Sequence, residues 1–169
     1  MTIDLSEKID PIYEFREDHR KVRDSLLDLA AAAEAGDIAR AREILGRIDA
    51  MVGPHFRYEE ETLYPALREY LGEYVDNLVA EHDGAIATAR LAAKLLSRDS
   101  LTAEEGKAAA RAARALLVHV SNCDGLNILA ERLPQNRLDE LGVRFAKSRA
   151  EGLPLLRWAD TIRKEYHRN

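Results

Sequence analysis

His55-Phe56-Arg57-Tyr58-Glu59-Glu60-Glu61-Thr62-Leu63-Tyr64-Pro65 is the stretch on which the reading of this chain turns. Residues four apart on a helix share a face, so His55 and Glu59 can enter one interior together. The apolar stripe that leads into it, Ile38, Ala41, Leu45, Ile48 and Val52, has helical spacing. Asp37 can cap that helix. Gly53-Pro54 predicts a kink, and Tyr64-Pro65 a second break, because an internal proline lacks an N–H and crowds the preceding turn. A short continuation, Ala66 to Leu71, ends at Gly72.

Working outward, three more helices each carry one histidine. Asp10-Pro11 is a helix start, with Asp as N-cap and Pro in the first turn. It opens a helix over 11–35 with Phe15, Val22, Leu26 and Leu29 inward and His19 among them. A third helix over 74–96 carries His82 between Leu78 and Ile86. A fourth begins at the capping box of Thr102 and Glu105, carries His119 and Asp124, and is expected to run to Leu133 before Pro134. Long amphipathic helices joined by short loops predict an all-α, up-down-up-down antiparallel four-helix bundle over residues 1–134. Residues 135–169 carry eight Lys or Arg against five Asp or Glu in a chain of net charge −5. They read as a helical extension packed on the bundle, with Leu155, Trp158, Ile162 and Tyr166 on one face of a short helix.

The rest of the composition narrows the class. At 169 residues the chain has the size of one domain. The negative charge argues against non-specific nucleic-acid binding. Cys123 is the one cysteine, which excludes an internal disulfide and suits a reducing cytoplasm. Residues 1–10 lack the apolar core of a secretion signal, and no apolar run has the length of a membrane span.

Four histidines on four helices, two of them followed by a carboxylate one turn on, predict a metal site. A lone core histidine is more often hydrogen-bonded than metal-bound, and His167, among charges near the C-terminus, is assigned no role. Four unpaired imidazoles at one depth would be costly to desolvate, and a shared cation removes that cost. Mixed nitrogen and oxygen donors suit iron, manganese or zinc. Other sites are set aside: no histidine has Glu three residues before it, His-Glu-x-x-His is absent, and there is no glycine-rich phosphate loop.

His19 within Asp18-His19-Arg20-Lys21, the 55–65 stretch, Glu81-His82-Asp83, and His119 with Asp124 five residues on together resemble the hemerythrin-like family, the HHE cation-binding domains, over residues 10 to 134. The resemblance implies a non-haem di-iron centre. In it His19, His55, His82 and His119 supply nitrogen, Glu59 is one bridging carboxylate and Asp124 the other. At i+5, Asp124 lies about 140° round an ideal helix from His119, which predicts a distortion, such as a π-bulge near Gly125.

Two departures stand out. Oxygen-carrying members bring two histidines from the third helix, where this chain has only His82, so one iron is expected to be short of an imidazole. Glu81, a water or nothing fills that gap. Many members have Glu four residues after the fourth-helix histidine, where this chain has Cys123. Its thiol is open to three readings: an iron ligand, a redox-active group, or a small buried hydrophobe. The resemblance thus implies a protein that binds, senses or reacts with O2, peroxide or nitric oxide, without deciding whether it turns substrate over. The alternative is a non-catalytic iron-buffering or regulatory module whose C-terminal helix contacts a partner.

Overall fold

The computed structural model describes residues 8–168, and among them no strand forms. The sequence reading of the first ten residues falls outside the description up to position 7. Helix α1 spans Pro11–Glu34, α2 Ile38–Tyr58, α3 Tyr64–Leu71, α4 Tyr74–Leu96, α5 Ala103–Ala115, α6 Leu117–Asp124, α7 Asn127–Ala130, α8 Gln135–Glu151, α9 Leu155–Asp160 and α10 Ile162–Tyr166. No described helix is long and apolar enough to cross a membrane.

Four rods make the up-down-up-down bundle: α1, then α2 with α3, then α4, then α5 with α6. The starts are fixed locally. The Asp10 carboxylate accepts from the Ile12 and Tyr13 N–H groups. The Thr102 hydroxyl and Glu105 carboxylate satisfy each other's backbone N–H in a capping box. α1 packs closely on both α2 and α5, and α2 packs on α4.

Pro54 does not end α2, which continues past it through His55. At Tyr64-Pro65 the chain does not break either. It widens into a π-helical segment, Glu59–Leu63, closed by the Tyr64 N–H on the Glu59 carbonyl. A π turn absorbs one extra residue and reorients the side chains that follow, which relieves the crowding a proline brings to its preceding turn. The fourth rod shows the reverse. It is interrupted at Leu116 and again after Asp124, where Leu126 N–H bonds Cys123 O at 2.9 Å and Leu129 N–H bonds Leu126 O at 3.1 Å. These tightened turns replace the π-bulge expected near Gly125.

The bundle interior has two apolar clusters. One holds Val22, Leu26, Ile48, Val52, Phe56, Ile86 and Trp158. The other holds Phe15, Tyr58, Leu63, Tyr64, Leu78, Cys123 and Phe145. On α1 and α4 the histidine falls between a residue of one cluster and a residue of the other, and on α2 and α6 the change comes within four residues after it. The histidine layer is therefore sealed above and below by apolar side chains.

The C-terminal helices lie on the bundle, α8 along α2 and α9 across α2 and α4. Leu155 and Trp158 are buried, but Ile162 is 36% and Tyr166 50% exposed. The stripe is split because Thr161 (φ −119°, ψ −90°) breaks the helix between them. Gly53 is what lets this segment approach: a Cβ there would lie 2.0 Å from the Leu153 carbonyl oxygen and 2.6 Å from the Leu155 nitrogen. Both are backbone atoms and cannot swing aside. Gly53→Ala should therefore lower stability by about 1–3 kcal/mol as an overpacked site, read as a fall in the melting transition. Gly84→Ala, in α4 with open space around it, should raise stability by up to about 1 kcal/mol through helix propensity alone. A stabilised Gly53→Ala would refute the close approach.

Candidate metal centre

The structure gathers the four imidazoles around Glu59, which is fully buried. On one side His19 Nε2 and His55 Nε2 stand 3.1 Å apart, with His55 Nε2 3.4 Å from Glu59 Oε1. On the other, His82 Nε2 is 3.0 Å from Glu59 Oε2. His19, His55 and Glu59 can offer ligand atoms within 4.8 Å of one another, and so can Glu59, His82, His119 and Cys123. Glu59 belongs to both groups. The histidines divide two and two, with His82 the single imidazole that the third helix brings.

The outer ring nitrogens explain why the inner ones face Glu59. His55 Nδ1 meets Asp18 at 2.9 Å, His82 Nδ1 meets Glu60 at 2.9 Å, His119 Nδ1 meets Glu81 at 2.7 Å, and His19 Nδ1 meets Asp124 at 3.1 Å. An ionised carboxylate can only accept, so each Nδ1 is the donor to its carboxylate, and each Nε2 is left facing inward, where it could offer a lone pair to a cation. Such carboxylate–histidine pairs fix the tautomer and ring orientation of metal ligands. The pairing also runs round the bundle: α1 serves α2, the π segment serves α4, α4 serves α6, and α6 serves α1.

Inward lone pairs facing a carboxylate need positive charge between them. Neither Glu59 oxygen has a hydrogen-bond donor in bonding geometry, although both are fully buried. This orphaned carboxylate is the test of whether a cation fits, and it does. Two nitrogens each at roughly 2.0–2.1 Å from one ion are themselves about 3 Å apart, the spacing His19 and His55 show. A proton is the substitute. Burial opposes charging His55, but Glu59 and Asp18 outweigh it and raise its pKa to about 9. Burial and the neighbouring His55 charge lower His19 to about 4. Burial alone would protonate Glu59, but His55 and His82 hold it ionised, well below the usual carboxylate range.

Asp124 and Glu81 take different places from those considered in the sequence. The Asp124 side chain is 48% exposed and sits on the outer nitrogen of His19, not between the two groups. With α6 ending at Asp124 in tight turns, nothing rotates it inward, and Cys123 at i+4 faces the centre instead. Glu81 fills no gap at His82. It accepts from His119 and from Asn122. Tyr64, brought round by the π segment, points its hydroxyl to within 3.1 Å of His82 Nε2 and 3.4 Å of Cys123 Sγ. Phe56 stacks on His82 with ring centroids 3.7 Å apart, and Phe15 on His55 at 4.9 Å.

Sequence reading missed the outer shell. Asp18 and Glu60 are adjacent to His19 and Glu59, and that adjacency was the available signal. Arg149 and Arg163 gave none. Arg149 of α8 bonds Asp18 at 2.8 Å. Arg163 of α10 bonds both Glu60 oxygens at 3.1 Å. His167, given no role from sequence, lies 2.9 Å from Glu60. Each of the two most buried histidines is thus backed by a carboxylate that an arginine of the C-terminal helices holds. Removing such outer partners typically weakens metal binding by roughly 10–100-fold. Arg163→Gln should weaken cation binding at the His82 side by about tenfold, measured by competition with a chelator. Arg90→Gln, which breaks an exposed pair with Asp160, should leave both affinities unchanged. Equal affinities in the two variants would contradict the role given to Arg163.

Comparison with known proteins agrees with this geometry. The family model for the hemerythrin HHE cation binding domain matches residues 10–125. No curated protein and no solved structure gives a significant match. The matched span holds all four histidines, Glu59, Cys123 and Asp124 and stops before α7, so Arg149 and Arg163 lie beyond it. With well over half of its length matched, the chain belongs to the hemerythrin HHE cation-binding domain family.

Proposed function

We propose that this protein is a non-haem di-iron protein that binds, senses or reacts with O2, peroxide or nitric oxide. The observation that carries the reading is the buried Glu59 carboxylate, without a donor, between two pairs of inward imidazole lone pairs. In this reading His19, His55 and Glu59 hold one ion, and His82, His119 and Glu59 the other. Glu59 is the bridge, and Asp18, Glu60, Glu81 and Asp124 orient the rings. A pair of iron ions, when bound, would supply a redox-active centre for small diatomic or peroxidic ligands. Nitrogen and oxygen donors suit iron, though the same set would accept other first-row ions.

The surroundings favour a small, uncharged visitor. An apolar cavity of about 330 Å³ runs between α1, α2, α4 and α5 and has His119 and Phe56 in its wall. Val22 and Val52, one turn from His19 and His55, also line it. A charged substrate would lose its hydration along such a wall without compensation, whereas a diatomic gas would not. Phe15 and Phe56, stacked on the histidines, exclude water from the rings. The reducing cytoplasm expected for a lone thiol would keep Cys123 unoxidised.

Anaerobic loading with ferrous iron should give two ions per chain. His55→Ala or Glu59→Ala should reduce that number, because each removes a donor from a buried site. Nitric oxide added to the loaded protein should then produce new visible absorption. Two bound ions with no spectral response to nitric oxide, O2 or peroxide would favour the alternative of an iron-buffering module. Undiminished iron in both variants would defeat the assignment altogether.

A further inference from the structure

The two halves of the centre are not equivalent. His19, His55 and Glu59 give one half two nitrogens and an oxygen. The other half has His82, His119 and Glu59 and, within the same 4.8 Å, the Cys123 sulfur. Cys123 is fully buried, with Sγ 3.4 Å from His119 Nε2 and 3.4 Å from the Tyr64 hydroxyl. Its place is the one Glu59 holds on the other rod. His55 is followed by Glu59 at i+4 and Glu60 at i+5, and His119 by Cys123 at i+4 and Asp124 at i+5. The i+5 members do matching work, since Glu60 and Asp124 each sit on the outer nitrogen of a histidine from the next rod. The i+4 members both face inward.

We infer that Cys123 is a thiolate ligand of the half-centre formed by His82, His119 and Glu59, which makes it a closed four-donor site beside an open three-donor site. This rests on the di-metal reading above. An interior thiol alone would be read as a small hydrophobe. What points to a ligand here is Glu59, fully buried, aimed into the same space and without a hydrogen-bond donor. On metal binding the thiol proton leaves to solvent and the sulfur bonds the cation. No change of oxidation state is involved. Two nitrogens, one carboxylate oxygen and one thiolate suit a tetrahedral ion, and sulfur favours softer metals. The half-centre lacking sulfur keeps its vacant positions for an exogenous ligand.

Cobalt(II) titration of the reduced protein tests this. Wild type should bind two cobalt ions per chain and show one thiolate-to-cobalt charge-transfer band in the near ultraviolet. Cys123→Ser should lose that band. Tyr64→Phe should keep it, which separates sulfur from the neighbouring phenol. His19→Ala should bind about one cobalt fewer and keep the band. Two bound cobalt ions without the band in wild type, or the band surviving in Cys123→Ser, would overturn the role of Cys123 and leave the di-metal reading standing. Fewer than two cobalt ions in wild type would overturn the di-metal reading instead, and no cobalt at all would overturn both. X-ray absorption on cobalt-loaded wild type needs no variant to fold: a sulfur shell at roughly 2.3 Å, beyond the nitrogen and oxygen shell at about 2.0–2.2 Å, is expected, and its absence would contradict the assignment.

Discussion

A single buried carboxylate organises this bundle. Glu59 is ionised, inaccessible to water and without a hydrogen-bond donor, in a layer between two apolar clusters. Burying such a charge without compensation is among the most costly arrangements a core can contain, and it is His55 and His82 that keep this one ionised. Everything within reach of it is arranged to receive positive charge. Four rings present nitrogen, a sulfur and a phenol stand on one side, and the π segment turns Glu59 and Glu60 to face different neighbours. Hydrophobic packing could hold the helices together without this layer. The donors of this layer are those of a site that could hold a metal ion.

The ring of outer carboxylates follows from helix geometry in an antiparallel bundle. On α1 and α4 the carboxylate precedes its rod's histidine by one residue, which is about −100° on an ideal helix. On the other two rods it follows the histidine by five, which is about +140°. Those rods run the opposite way, so viewed from one end of the bundle both offsets turn in the same sense. Each carboxylate is thereby carried toward the next rod's imidazole. The spacing that looked like a misplaced bridging ligand at Asp124 is the spacing of this outer ring.

Much of the architecture was legible from local rules. Asp10-Pro11, the Thr102 capping box and the 3.6-residue apolar stripes placed the rods, and one histidine per rod placed the layer. What was not legible depended on backbone irregularity and on distant chain. Pro65 reads as a helix breaker, yet a π turn accommodates it and delivers Tyr64 to the centre. Gly125 reads as the place for a wide turn, yet the chain tightens there and leaves Cys123 inward. Arg149 and Arg163 sit in a basic tail where a charge is ordinarily solvated, and only the packing of α8 and α10 shows that each reaches a buried carboxylate. The C-terminal helices are thus tied to the centre through polar contacts as well as through Leu155 and Trp158.

Anomalous diffraction from crystals loaded anaerobically with ferrous iron is the most direct measurement. Two peaks are expected, one between the His19 and His55 rings and one between the His82 and His119 rings, with a Glu59 oxygen against each. A single peak, or iron elsewhere with none against Glu59, would contradict the centre described above.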